Sequence, residues 1–119
     1  MNLNVSSLEG NVKRLNLEGH MDLVGTEQIG LKLNALATSE KQFYVTDLSK
    51  VDFLASIGIG VLVRCANALR RRGGNMVLLN PQPGVRMVLE KTKIDTVIPI
   101  YSNLQEACNA VREAPPPKP

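Results

Sequence analysis

Apolar and polar positions along this chain follow two alternating rhythms, which predict strands and helices in turn. A strand is predicted over residues 12–17, with Leu3 and Val5 as its candidate partner, before residues 18–22 break the pattern. The other predicted strands cover residues 42–48, 76–79 and 97–100. Helical spacing predicts four helices, which cover approximately residues 26–37, 57–72, 85–91 and 103–112.

The predicted helix that starts near residue 57 is apolar on nearly every side at its start, which is typical of a buried helix. Its later turns keep one apolar stripe, and Arg64 and residues 70–72 are expected to face water. Arginines in the last turn offset the helix dipole before residues 73–74, two glycines, end the helix. The helix before it is expected to begin with Thr26 as its cap.

Strands that alternate with helices predict a single α/β domain over residues 1–113. We expect a mixed central sheet of about four to five strands, with about four helices packed mainly on one face. Residues 42–80 should form a right-handed strand–helix–strand unit, and such folds place function in the loop at the carboxyl end of the first strand. Residues 114–119 are predicted to be a disordered, proline-rich tail.

Composition narrows the function by exclusion. The chain is 44% hydrophobic and 21% charged, as in an ordinary soluble domain, and its net charge is +3. Nucleic-acid binding usually requires aromatic side chains for base stacking and a broad basic face. This chain has few aromatic residues and only a local basic run, which argues against a nucleic-acid partner. No apolar run approaches the roughly 18 residues of a membrane span, and the N-terminus lacks a signal pattern. We therefore expect a cytoplasmic protein without a membrane span.

Residue types that carry catalysis or bind metals are sparse. Cys65 and Cys108 lack zinc or redox spacing and are expected to be buried free thiols in a reducing cytosol. The only histidine, His20, is expected to be a solvent-facing loop residue. The candidates for a carboxylate cluster are Asp22, Asp47 and Asp52. We expect neither a cofactor nor enzyme activity, because no catalytic constellation surrounds these groups.

The most informative position is Ser56, a lone hydroxyl at the start of the apolar helix. A phosphate on it would lie at the positive end of the helix dipole, where it is stabilised, but it would disrupt an apolar interface over this helix start. The alternative is that Ser56 is only an N-cap. Gly58 and Gly60 indicate either close approach of a partner or close packing on the domain's own sheet. They lack the third glycine of a dinucleotide fingerprint.

Together these segments resemble the STAS family, the anti-sigma factor antagonists of bacterial partner-switching systems. The family pattern is an Asp-Leu-Ser strand end, here residues 47–49, then an aromatic–hydrophobic pair, here residues 53–54. A helix start through two glycines follows, here residues 55–60. A Gly-x-Leu-Asp element upstream corresponds to residues 19–22, and a downstream Gly-Gly to residues 73–74. The resemblance covers roughly residues 3–112.

The resemblance implies that an anti-sigma factor with serine kinase activity of the GHKL type phosphorylates Ser56. A PP2C-type phosphatase would remove the phosphate. The unphosphorylated protein would capture the anti-sigma factor and so regulate transcription by freeing the sigma factor. The residues implied at or near the partner surface are Asp22, Leu54, Ile57, Gly58, Ile59 and Gly60.

This sequence departs from the family pattern on both sides of the serine. Ala55 replaces an aspartate that could hold the loop, and Ile57 replaces a serine or threonine and makes the surface more apolar. A more apolar surface suits constitutive binding, so an alternative function is a non-phosphorylated STAS subunit of a transport or signalling complex. A small enzyme or nucleotide binder is a further alternative, which the missing phosphate-cradling glycine loop disfavours.

Overall fold

The computed structural model describes residues 1–113, which form a mixed five-stranded sheet with the strand order β1-β2-β3-β4-β5. β1 runs antiparallel to β2, and the other neighbouring strands are parallel. The strands are β1 (Asn2–Ser7), β2 (Val12–Met21), β3 (Phe43–Leu54), β4 (Asn75–Leu79) and β5 (Ile100–Tyr101). The helices are α1 (Leu23–Ser39), α2 (Ser56–Arg71), α3 (Pro83–Lys91) and α4 (Leu104–Arg112), with a 3₁₀ turn at Ile94–Thr96. The predicted fold class is confirmed.

The sheet separates two apolar cores. The larger core lies under α1, α2 and α3, and the smaller one lies under α4 on the opposite face. Successive strand side chains point to opposite faces, so Met76 and Leu78 of β4 enter the larger core while Val77 and Leu79 enter the smaller one. The prediction that the helices pack mainly on one face therefore holds, with α4 as the exception.

β2 and β3 are longer than predicted. β2 continues through residues 18–21, where a break was predicted, and β3 continues from residue 48 to Leu54. Two register shifts, between Asn16 and Glu18 and again after residue 19, let the β2–β3 ladder absorb polar residues without ending. Asp47 therefore lies within a strand rather than at its end.

One helix prediction and one further strand prediction are also corrected. α1 begins at Leu23 rather than at Thr26, because the Asp22 carboxylate accepts a hydrogen bond of 2.8 Å from the Gly25 amide and caps the helix. Thr26 is buried within the first turn. The strand predicted over residues 97–100 is reduced to β5, because the 3₁₀ turn and the residues that follow it take up most of this segment.

Arg70 was predicted to face water with the rest of the arginine run, but it has a structural role. Its guanidinium donates to the Asn75 side-chain oxygen at 2.9 Å and to the Val97 carbonyl at 2.7 Å, and so ties the end of α2 to β4 and to the 3₁₀ turn region. Arg71 and Arg72 are exposed as predicted, whereas Arg70 is half-buried. The tail prediction for residues 114–119 lies outside the described residues.

Candidate functional site

The carboxyl ends of β2 and β3 bring the starts of two helices together. Met21 pairs with Leu54, and the Ala55 amide donates to the Met21 carbonyl at 3.0 Å. α1 follows Met21 after one residue and α2 follows Leu54 after one residue. Asp22 and Ser56 therefore lie at the same edge of the sheet, where parallel α/β folds place their sites.

Ser56 is the first residue of α2 and is exposed to solvent. The N-cap is Ala55, with extended backbone (φ −91°, ψ 167°), and among the described residues no side chain makes a capping hydrogen bond to this helix. The alternative that Ser56 is itself the N-cap is therefore wrong. A helix start without a side-chain cap leaves its first amides available to an anion, and the Ser56 hydroxyl is placed beside them.

Large apolar side chains are exposed around this edge. Leu23 and Val24 at the start of α1 are 57% and 63% exposed, and Phe53 at the end of β3 is 51% exposed. Ile57, which follows the serine, is 37% exposed. We call the six residues on these segments the switch surface: Asp22, Leu23, Val24, Phe53, Ser56 and Ile57. Large apolar side chains that are exposed at one edge of a domain are typical of a protein-binding surface.

The other residues implied by the resemblance are less exposed than most of the switch surface. Leu54 and Gly58 are buried, and Ile59 packs partly buried against the larger core. Gly60 is half-buried. Leu54, Gly58 and Ile59 therefore support the switch surface from beneath, while Asp22, Ser56 and Ile57 remain accessible on it. Leu23, Val24 and Phe53 were missed as surface residues, although each is an apolar residue within four positions before a predicted helix.

A family comparison decides the classification of this site. The STAS domain family matches residues 6–107, which is most of the chain. This chain belongs to the STAS domain family. The prediction made from the Asp-Leu-Ser and glycine motifs is thus confirmed, and the observed sheet and helices are those of a STAS domain.

The names of several relatives of this STAS domain contain the term anti-sigma factor antagonist. A protein named as an anti-sigma factor antagonist, BtrV, from Bordetella bronchiseptica is 29% identical over 84% of this chain and 86% of the relative. The crystal structure of an anti-sigma factor antagonist from Mycobacterium paratuberculosis has a TM-score of 0.81 at 25% identity and covers 94% of both chains. An anti-sigma-factor antagonist (STAS) domain protein from Planctomyces limnophilus has a TM-score of 0.79 at 27% identity, covering 93% of this chain and 98% of that one.

Candidate chemistry elsewhere in the STAS domain does not converge on a second site. Within residues 1–113, no group of three potential metal ligands comes together, so Asp22, Asp47 and Asp52 do not form the carboxylate cluster considered above. His20 is exposed as predicted but lies in β2 rather than in a loop, and it pairs with Asp52 of β3. No helix among the same residues is long and apolar enough to cross a membrane.

The two cysteines of the STAS domain are free thiols in different surroundings. Cys65 is buried in the larger core, and desolvation by burial raises the pKa of its thiol to about 11, so it stays protonated and inert. Cys108 is only half-buried against the smaller core, which corrects the expectation that both are buried.

The two glycines at the start of α2 are expected to respond oppositely to alanine. A Cβ at Gly58 would lie 2.9 Å from the Leu54 side chain and 3.1 Å from the Met21 carbonyl oxygen, so Gly58→Ala should destabilise the domain by about 1 kcal/mol or more. A Cβ at Gly60 would meet only the Arg64 side chain at 3.5 Å, an ordinary contact. Gly60→Ala should therefore stabilise the helix by roughly 0.5–1 kcal/mol.

Urea unfolding of both variants tests this pair, with the native chain as reference. Loss of stability in Gly60→Ala, or none in Gly58→Ala, would contradict the packing geometry. The comparison also separates the two interpretations of the glycines, since Gly58 is explained by packing on the domain's own sheet and only Gly60 is left for close approach of a partner.

Proposed function

We propose that this STAS domain is an anti-sigma factor antagonist controlled by phosphorylation of Ser56. The unphosphorylated domain binds an anti-sigma factor through the switch surface, and the phosphorylated domain releases it. The observation that carries the proposal is the exposed Ser56 residue at the first position of α2, in a segment where Phe53 and Ile57 are also exposed. The names of the relatives support the antagonist role.

The helix start explains why the domain itself would tolerate the phosphate. A phosphoserine carries about −1.5 to −2 charges at neutral pH, and the amides and dipole at a helix N-terminus stabilise such a charge. A serine at the first helical position presents its hydroxyl outward while these amides lie beside it. Phosphorylation should therefore leave the fold intact.

The same phosphate would weaken a complex that covers the switch surface. Burying a dianion among apolar side chains such as Leu23, Phe53 and Ile57 costs several kcal/mol of desolvation unless the partner supplies countercharges. Each ~1.4 kcal/mol corresponds to a tenfold change in affinity. A single covalent change can thus move the complex from bound to free without a conformational change in this domain.

The partners that complete this cycle are part of the proposal. The anti-sigma factor would be a serine kinase of the GHKL type, and a PP2C-type phosphatase would restore the hydroxyl in a bacterial cytoplasm. Asp22 lies at the same sheet edge as Ser56, but its carboxylate is already used to cap α1 through the Gly25 amide. Asp22 therefore contributes mainly by holding the start of α1, and with it Leu23 and Val24, in place.

Ser56 phosphorylation is directly measurable in the native host. The chain purified from its own cells should show a population heavier by about 80 Da, the mass of one phosphate group. Fragmentation should place the phosphate on Ser56, and the population should disappear in a Ser56→Ala strain. A chain that stays unmodified in every growth condition, or that carries phosphate only on another residue, would contradict the proposal.

A second candidate function is favoured by the residues that flank Ser56. Ala55 leaves α2 without a side-chain cap, and Ile57 exposes an apolar side chain where the family pattern has a hydroxyl. A permanent contact through this surface would make the domain a non-phosphorylated subunit of a transport or signalling complex. Stable co-purification with one partner and the absence of phosphate on Ser56 would favour this function.

A further inference from the structure

The half of β3 that leads to Ser56 has a strand neighbour on one side only. The β3–β4 ladder ends where Asp47 pairs with Leu79, but β3 continues to Leu54 and pairs there with β2 alone. The chain that leaves β4 turns away at Asn80, whose backbone is left-handed (φ 53°), and enters α3. We call residues 48–54 the leading segment, because it carries Ala55 and Ser56.

The Gln82 side chain contacts β3 just beyond the point where pairing with β4 ends. Its side-chain amide donates a hydrogen bond of 2.9 Å to the Ser49 carbonyl. The Ser49 amide in turn donates to the Asp47 carboxylate at 2.8 Å. Both backbone polar groups of Ser49 are thus held by side chains at the point where the ladder to β4 stops and β3 changes register against β2.

The Asp47 carboxylate, which accepts the hydrogen bond from Ser49, is itself held in place by Arg14. Arg14 donates to the second carboxylate oxygen of Asp47 through Nε at 3.1 Å and through Nη2 at 2.6 Å. Burial acts to raise the pKa of Asp47, but the hydrogen bonds from Ser49 and Arg14 outweigh it, and the pKa lies below its usual range. Asp47 therefore remains an ionised acceptor at neutral pH.

We propose that Gln82 is a positioning residue for Ser56. Its hydrogen bond to Ser49 restrains the leading segment on the side without a strand, and so fixes the start of α2. Gln82 is the N-cap residue of α3 but makes no side-chain capping bond there, so its amide is free for this role. That a fixed Ser56 serves presentation to a kinase rests on the proposed function. The restraint of the leading segment by Gln82 does not depend on that function.

Hydrogen exchange tests the restraint without any partner. Gln82→Met keeps the length of the side chain and removes the donor, and Gln105→Met is the matched control at an exposed position of α4. We expect amides in residues 48–57 to exchange about fivefold faster in Gln82→Met, as the loss of one net hydrogen bond predicts. Unchanged exchange there, or an equal increase throughout the domain, would overturn the positioning role.

Phosphorylation kinetics with the cognate kinase provide a second test, because a general loss of stability would not change the kinetic constants of a fully folded protein. At a temperature where both variants are fully folded, Gln82→Met should lower kcat for Ser56 about fivefold with KM unchanged, and Gln105→Met should change neither. Native kcat in Gln82→Met would overturn the role. If the native chain takes no phosphate, the proposed function fails, and the exchange experiment alone decides whether Gln82 restrains the leading segment.

Discussion

Replacing Gly25 by alanine is expected to destabilise the domain by roughly 3 kcal/mol, because there is no room for a side chain at this position. A Cβ at Gly25 would lie 1.8 Å from the His20 carbonyl oxygen and 3.2 Å from the Asp22 carboxylate that caps the helix. The obstructing atom is backbone and cannot rotate away. Relief would require α1 to move from β2, which would disturb the helix cap and the larger core together.

Gly30→Ala is the matched control for this prediction. Gly30 lies in the same helix, and a Cβ there would meet nothing within 4 Å. Because alanine favours a helix over glycine, Gly30→Ala should stabilise the domain by roughly 0.5–1 kcal/mol. Urea unfolding should therefore move the two midpoints in opposite directions. Equal effects, or a Gly25→Ala midpoint near the native one, would contradict the close packing of α1 on β2.

The sequence predicted elements best where their residues are buried in a regular way. The α1 positions Ile29, Leu33 and Ala37 recur at helical spacing, and all three are buried. The continuous apolar run of β4 reflects a strand that is covered by helices on both faces. In such elements the spacing of apolar residues along the sequence directly reflects which side chains are buried.

Extensions of the strands escaped prediction because they depend on pairing between distant segments. Residues 18–20 and 49–50 are mostly polar and break the alternation that marks a strand. They remain in strands because β2 and β3 pair with each other and absorb two register shifts. Similarly, Asp22 and Thr26 are both plausible caps by residue type, and only the path of the chain out of β2 selects Asp22.

The candidate site was predictable in its centre but not in its surroundings. Ser56 precedes an apolar helix in the sequence, and the structure places it at the first helical position. Whether a neighbouring apolar residue faces a partner or the core depends on the register shift within β3, which exposes Phe53 and buries Leu54. The contribution of Gln82 depends on a contact with Ser49, 33 residues away, which no local pattern indicates.

Ser56→Asp is expected to weaken binding of the cognate serine-kinase anti-sigma factor at least tenfold, a change of ~1.4 kcal/mol or more. An aspartate at the first position of α2 is compatible with the helix dipole, so the variant should fold as the native chain does. Its charge would lie in the same exposed segment as Phe53 and Ile57, and a partner that covers this segment would have to desolvate the charge. Calorimetric titration of the partner measures the effect.

Two variants make this result specific to the switch surface. Ser56→Ala removes the hydroxyl without adding charge and should bind within about threefold of the native affinity, well below the tenfold that ~1.4 kcal/mol represents. Ser7→Asp makes the same change in charge at an exposed residue that ends β1, beside the start of β2 and so at the opposite end of that strand from Met21, and should leave binding unchanged. Equal affinity of Ser56→Asp and Ser56→Ala would show that this serine does not control the complex. Equal weakening by Ser7→Asp would instead trace the effect to net charge, because a general electrostatic effect does not require the charge to lie within the covered surface.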